Sequence, residues 1–300
     1  MDPSLTVAVI SIVGGEVLER CLAAIPEGAD ELLAVTRSAR DEALPAALGW
    51  RAVDGRESSV PQRRARALRA ARCDIVALIE DTCVPNARWP HAIRRIFADA
   101  SVAAAGGPVA IDAALPPSSI ALACAEYGRY HPRRFGASGP TSAIETGIDG
   151  FPGLPGANLA LRRSSVERFE PGEDGLIEAE VAMTLRALGS RLVFDREMEV
   201  SYRFGDPGGA RLVSRFRHGR LYAGRRARAE GAAARARGLI QAPLLPLVLS
   251  ARAMRTLRLP ELKRARTAAL PWLVLQQTAW SAGELVGYLS GPGRALEAWR

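Results

Sequence analysis

Two groups of carboxylates stand out by their setting. Glu80 and Asp81 close a run of five apolar residues, Ile75 to Ile79, and Pro85 soon forbids continuation of the strand. Farther on, Glu173, Asp174, Glu178 and Glu180 open a segment of helical spacing that ends at Gly189. Acidic side chains just beyond a buried strand can hold a divalent cation, and such an ion neutralises a diphosphate. The same pair would serve equally as a solvated turn. Carboxylates at a helix start have an ordinary role too, because they stabilise the helix dipole by about 0.3–1 kcal/mol.

The elements that must position these groups follow from periodicity. Ile75 to Ile79 is rich in β-branched residues and too short for a free helix, so it reads as a strand covered on both faces. Leu5 to Val13 is a similar run ending in Gly14-Gly15, with a helix expected over Glu16 to Ile25. Further strands are expected at Glu31 to Thr36, Trp50 to Val53, Arg191 to Phe194 and Met198 to Tyr202, with a β-like run over Ser101 to Val109. Helices are expected at Val60 to Arg72, opened by Pro61 and carrying five arginines, and at Trp89 to Ala98. This alternation predicts an α/β fold with a mostly parallel, Rossmann-like sheet flanked by helices. Residues 111–155, rich in proline and glycine, read as a long irregular loop.

Composition narrows the class. The chain has 300 residues, of which 48% are hydrophobic and 24% charged, which is a globular balance. Its net charge of +8 rests almost wholly on arginine, since Lys263 is the only lysine. Such a surface favours phosphates, nucleic acid or an anionic membrane. Four scattered cysteines and three histidines make neither a zinc site nor a disulfide framework, and suit a reducing compartment. The first residues lack a basic stretch and run straight into a strand, unlike a signal peptide.

Toward the end of the chain the character changes. Residues 211–237 are arginine-rich without a broad apolar face. Leu239 to Ala251 is almost purely apolar, and Ala268 to Leu289 is apolar except for a stripe of Gln277, Ser281, Glu284 and Tyr288. This combination fits a peripheral or monotopic anchor on an anionic leaflet. Packing as an ordinary helical hairpin is the other reading. The expected division is residues 1–232 as a catalytic domain and 233–300 as a helical, membrane-associated segment.

With these pieces in order, the chain resembles the bacterial-type family 2 glycosyltransferases, which have the GT-A fold. Four segments carry the likeness: Val7 to Ile25; Val60-Pro-Gln-Arg-Arg-Ala-Arg to Val76; Ile79-Glu-Asp-Thr-Cys-Val-Pro-Asn-Ala-Arg-Trp89; and Leu154-Pro-Gly-Ala-Asn-Leu-Ala-Leu-Arg-Arg163 with Gly175 to Gly189. Arg215-Phe-Arg-His-Gly-Arg220 adds a tail motif. The strict DxD of the family is absent, for Glu80, Asp81 and Thr82 stand there. Its base-recognising aspartate has no counterpart near Thr36-Arg37-Ser38.

The resemblance implies transfer of a sugar from a nucleotide-diphosphate donor to a hydroxyl acceptor, lipid-linked acceptors included, with inversion, in cell-envelope glycan or glycolipid synthesis. It implies Glu178 as the base, with Asp174 one helical turn earlier on the same face. Asp81 and Glu80 would hold Mg²⁺ or Mn²⁺, although neighbours in an extended chain point oppositely and one of them should make the contact. Ser11, Arg64 and Asn158 join them in binding the donor. Asn158 could instead stabilise a buried turn, and Arg64 or an arginine of residues 215–226 would neutralise the phosphates without metal. The expected location is the cytoplasmic face of the cell membrane. Nucleotidyl transfer on the same fold is disfavoured because Glu16 follows Gly14-Gly15. A non-catalytic, arginine-rich protein on a degenerate transferase fold, binding membrane or nucleic acid, is the alternative. Few aromatics lie among the arginines, so no nucleic-acid partner is expected.

Overall fold

The structure is a computed structural model and describes residues 2–135, 142–143, 153–166, 174–203 and 210–299. In chain order its strands are β1 (Leu5–Ile10), β2 (Glu31–Thr36), β3 (Arg51–Asp54), β4 (Ile75–Glu80), β5 (Cys83–Pro85), β6 (Val102–Gly106), β7 (Val109–Ile111), β8 (Ser142–Ala143), β9 (Asn158–Arg162), β10 (Arg191–Phe194) and β11 (Val200–Tyr202). The helices are α1 (Gly15–Ala23), α2 (Ala43–Ala47), α3 (Val60–Ala70), α4 (Trp89–Phe97), α5 (Pro117–Tyr127), α6 (Arg163–Val166), α7 (Glu178–Ala187), α8 (Ala210–Gln241), α9 (Leu245–Leu257) and α10 (Arg266–Ser290). Chain contacts divide them into two compact units. The first comprises Met1–Ala110 and Tyr130–Phe204, the second Ile111–Arg129 and Gly205–Arg300.

The first unit is the expected α/β fold. Its main sheet runs β3-β2-β1-β4-β9-β6-β10-β8, and a small sheet runs β5-β11-β7. Strands β3, β2, β1 and β4 are mutually parallel, as are β6 and β10. Only β9, between β4 and β6, and the edge strand β8 run against their neighbours. Strands β1 and β4 are buried at every position, which is why they read as unbroken apolar runs rather than alternating ones. Ile10 and Glu80 are register partners, so the turn after β1 and the acidic end of β4 lie side by side.

The second unit is helical. Its α10 packs on α8, α5 and α9. Helices α8 and α10 approach to backbone contact, for a Cβ at Gly283 would lie 1.9 Å from the carbonyl of Phe216 and one at Gly219 2.1 Å from that of Trp280. Helix α8 breaks once, at Gly231, where φ is +79°.

Three expectations change. Residues 117–127 form a helix instead of a loop, because Pro117 sits in the first turn, where a missing N–H costs nothing, and Ile120 to Cys124 supply a buried stretch. Residues 136–141 and 144–152 of that expected loop lie outside the described residues. The boundary expected after residue 232 falls inside α8; the second unit takes in all of α8 and α5, since these pack on α10. Finally, α7 starts at Glu178 rather than in the preceding acidic residues. Gly175 has φ +85°, and a Cβ there would lie 2.4 Å from the Gln62 nitrogen, so the chain is held extended against α3 until Ile177.

One carboxylate ties the edge of the sheet together. Glu31 accepts hydrogen bonds from Thr6 Oγ1 at 2.6 Å, the Arg72 amide at 2.8 Å and Arg51 Nη2 at 2.7 Å. Burial alone would raise its pKa, but the bonds from Thr6, Arg51 and Arg72 and the Arg51 charge outweigh burial and hold it below the usual value. Its stabilisation is therefore present above the unfolded carboxylate value of about 4.5 and is lost as pH falls through the lowered folded value. Glu31→Gln should cost about 1–3 kcal/mol near neutral pH and flatten the loss of stability on acidification. Urea unfolding of both proteins across the acid range measures this; parallel pH curves would contradict it.

Candidate active site

The site is built where β1, β4, α3 and α7 converge. Helix α3 is fixed at its start by a reciprocal cap, in which Ser59 Oγ accepts from the Gln62 amide and Gln62 Oε1 accepts from the Ser59 amide. One turn on, Arg64 enters the interior, with only 2% of its side chain exposed. Its Nη2 meets Glu80 Oε1 at 2.7 Å and its Nη1 meets Glu178 Oε2 at 2.7 Å. A single guanidinium thus joins the end of β4 to the first residue of α7. Gly156 makes room for it, since a Cβ there would lie 2.5 Å from Arg64 Nη2. Among the described residues, Glu178 Oε1 has no hydrogen-bond partner, and the side chain keeps 19% exposure.

Asp81 points the other way, as alternation along an extended chain requires. It is completely buried. Its carboxylate accepts from the Gly14 amide at 2.9 Å, the Val13 amide at 3.0 Å and Ser11 Oγ at 3.2 Å. Burial pushes its pKa up; the amides of Gly14, Ile12 and Val13 oppose this, and Glu80 adds to it. Asp81 therefore shapes the β1–α1 turn from beneath. The adjacent Arg63 closes the same turn by donating to the Ser11 carbonyl and, at 3.2 Å, to the Ser58 carbonyl.

The outer side of this turn lines an open cleft of about 680 Å³ with Gly14, Gly15, Arg37, Ser38 and Asp41. Asp41 Oδ1 accepts from the Gly15 amide at 2.9 Å and Oδ2 from Ser38 Oγ at 2.8 Å. Arg37 Nη1 donates to the Ile12 carbonyl at 2.8 Å. The β1–α1 turn is thus held between two carboxylates, Asp81 inside and Asp41 outside. Sequence reading missed Asp41 because it sought an acid directly after β2. The signal was a carboxylate five residues past Thr36, beyond an intervening turn.

The structure brings Arg64, Glu80 and Glu178 into direct contact and pairs Ser11 with Asp81 on the opposite side of the strand end, and it separates two further expected partners from the first group. Asp174 is exposed in a turn ahead of α7 and does not share a helical face with Glu178, for the reason given at Gly175. Glu173 lies outside the described residues. Asn158 is completely buried. It accepts from Trp89 Nε1 at 2.9 Å and donates to the carbonyls of Met198 and Pro108. Those bonds use both ends of the amide, so Asn158 fastens α4 and β9 to the chain entering β7 and β11 and is not presented to a ligand. Arg215 also departs from the expected phosphate role. It is buried in the second unit, 3.3 Å from both Glu126 Oε1 and Gln277 Oε1 and 4.4 Å above the Trp280 ring.

No family model matches the chain, and no curated protein matches it. Solved structures similar to it include a mycobacterial protein, at 16% identity over 71% of this chain and 70% of that one with a TM-score of 0.45. GalNAc-T7 with UDP, GalNAc and Mn²⁺ is similar at 12% identity over 69% of this chain and 44% of that one, with a TM-score of 0.49. Glucosyl-3-phosphoglycerate synthase from Mycobacterium tuberculosis, with Mn²⁺, UDP and glucosyl-3-phosphoglycerate, is similar at 16% identity over 68% and 73%, with a TM-score of 0.43. Likenesses this distant carry no chemistry to this chain.

Because Asn158 acts as a fastener, Asn158→Ala should lower unfolding free energy by about 2–4 kcal/mol, leaving the Trp89 N–H and the Met198 carbonyl buried without that partner while the Pro108 carbonyl keeps the Val200 amide. Chemical denaturation measures the loss. A variant of unchanged stability would return Asn158 to the list of ligand contacts.

Proposed function

We propose that this chain is a glycosyltransferase of the family 2 type, moving a sugar from a nucleotide-diphosphate donor to a hydroxyl acceptor with inversion. One observation carries the reading. Arg64 holds the carboxylate of Glu178, by one oxygen only, within a guanidinium's width of the acidic end of β4. Two segments a hundred residues apart in the sequence, each expected to serve the same reaction, thereby meet at one point.

The chemistry asks for a base on one side of the anomeric carbon and charge stabilisation on the other. Glu178 Oε1 is the free acceptor for the proton of the acceptor hydroxyl. As that oxygen bonds to the anomeric carbon, the bond from carbon to the diphosphate oxygen breaks, and its electron pair leaves with the nucleoside diphosphate. Attack from the face opposite the leaving group inverts the centre. A positioned carboxylate base contributes on the order of 10²–10⁴-fold. Arg64 fixes the direction of Glu178, and the cleft beside Gly14, Gly15 and Asp41 is the polar recess available to the nucleoside.

A divalent cation fits this site in one way. Among the described residues no three His, Cys, Asp or Glu side chains gather as a ready-made cage. Mg²⁺-type ions are often bound instead by one or two carboxylates together with substrate phosphate oxygens. Of the acidic pair, Glu80 is the member aimed toward Glu178 and Arg64, whereas Asp81 is occupied by the turn amides. Glu80 would therefore hold Mg²⁺ or Mn²⁺, which when bound neutralises the departing diphosphate.

Glu178→Gln should lower turnover by at least about 10²-fold while donor binding persists. A thermal-shift panel of nucleotide sugars with and without Mn²⁺ identifies the donor, and radiolabelled transfer with that donor measures turnover. Wild-type turnover in the variant would remove Glu178 as the base. The absence of any nucleotide-sugar hit would overturn the assignment.

A further inference from the structure

Helix α10 is inside out. The residues it buries include Gln276, Gln277, Ser281 and Glu284, whereas Leu270, Val274, Leu275, Leu285 and Leu289 are exposed. At 3.6 residues per turn, Leu270, Val274, Thr278, Ala282, Leu285 and Leu289 fall within about a third of the helix circumference. A surface helix of a water-soluble domain shows the opposite pattern. The buried polar side chains have reasons to be there. Gln277 receives Arg215, Gln276 donates to the Ser118 carbonyl at 3.1 Å, Ser281 donates to the Gln277 carbonyl, and Glu284 accepts from Trp280 Nε1. Gln277 and Gln276 thus tie α10 to α8 and α5, while Ser281 and Glu284 are satisfied within α10, and the apolar row is left outward.

A second apolar group lies on elements that α10 touches. Ile240 at the end of α8, Leu244 in the turn Ala242–Leu244, and Leu247 and Val248 at the start of α9 are 43–77% exposed. Charge says what covers these surfaces. Arg252, Arg255, Arg258, Lys263 and Arg264 are all exposed, and between Arg235 and Arg266 the only acidic residue is Glu261. A second copy paired isologously through this face would set the same cationic rim against itself. An anionic lipid surface offers apolar depth for the leucines and valines and negative charge for the arginines at once. Among the described residues no helix is long and apolar enough to cross a membrane. At 25 residues α10 extends about 37 Å, a length that can lie in the interface plane.

We propose that the outward row of α10, with the neighbouring corner of α8 and α9, docks in-plane on an anionic bilayer. The inference rests on the second unit alone and stands whether or not the transferase reading does. Flotation of the full chain with phosphatidylcholine vesicles, with and without phosphatidylglycerol, tests it. Wild type should float with the anionic vesicles, weakly with the neutral ones, and less in high salt. Changing Arg252, Arg255 and Arg258 together to glutamine should weaken anionic binding on the order of a hundredfold. Val274→Asp with Leu285→Asp should abolish binding to both while thermal melting stays as in wild type. Equal partition into neutral and anionic vesicles, unmoved by the arginine changes, would overturn the proposal. So would a failure of wild type to float. A lipid-free dimer by light scattering that the two aspartates convert to monomer would assign the face to a second copy instead.

Discussion

A buried guanidinium sets the terms for the whole first unit. Taking Arg64 out of water is costly, and the fold sustains it because two carboxylates arrive from different elements, one at each terminal nitrogen of the guanidinium. One comes from the last residue of the central strand and the other from the first residue of α7. Each is itself little exposed, so none of the three is tolerable without the others. Breaking such an arrangement by removing one partner typically costs about 3–5 kcal/mol. The interaction therefore fixes where α3 and α7 stand relative to the end of β4. Gly156 and Gly175 are consequences of it: the first leaves space for the guanidinium, and the second lets the chain before α7 lie against the backbone of α3.

The acidic pair shows how strand geometry divides labour between adjacent residues. Glu80 faces the arginine and Asp81 faces the opposite side, where the Val13 and Gly14 amides and a serine hydroxyl donate to it. Asp81 thus acts on the turn and Glu80 on the space near Glu178. The turn in turn presents its outer surface, with Gly14 and Gly15, to the cleft bounded by Asp41. The Arg64 cluster and the turn beside it are therefore linked through one pair of neighbouring carboxylates.

Much of this was legible because the signals are local. The buried strands, the Pro61 helix start, the stop at Gly189 and the inequivalence of Glu80 and Asp81 follow from residue type and period alone. What was not legible depended on tertiary context. Asn158 carries the same amide whether it meets a sugar or a tryptophan, and only packing decides that Trp89 is its partner. Asp174 was assigned to the helix because acidic residues favour helix starts, but the backbone contact of Gly175 with α3 overrides that preference. The prolines of residues 111–155 suggest an irregular loop, although proline is also at home in a first turn, where Pro117 stands. Asp41 escaped because its role is set by the turn it reaches across, not by its distance from a strand.

In the second unit the polar stripe of α10 was visible in the sequence, but its direction was not, since periodicity shows that a helix has two faces without saying which one is inside. The interior of this unit explains the direction. Arg215 is buried there with its pKa lowered by desolvation, and it is met by Glu126, which is partly buried, and by Gln277, which is buried. Once a charged side chain lies between α8 and α10, the polar side of α10 has to face it and the apolar side has to face out. A helix orientation that looks paradoxical in water is then the one that sets Gln277 against Arg215, and it turns Leu270, Val274, Leu285 and Leu289 outward.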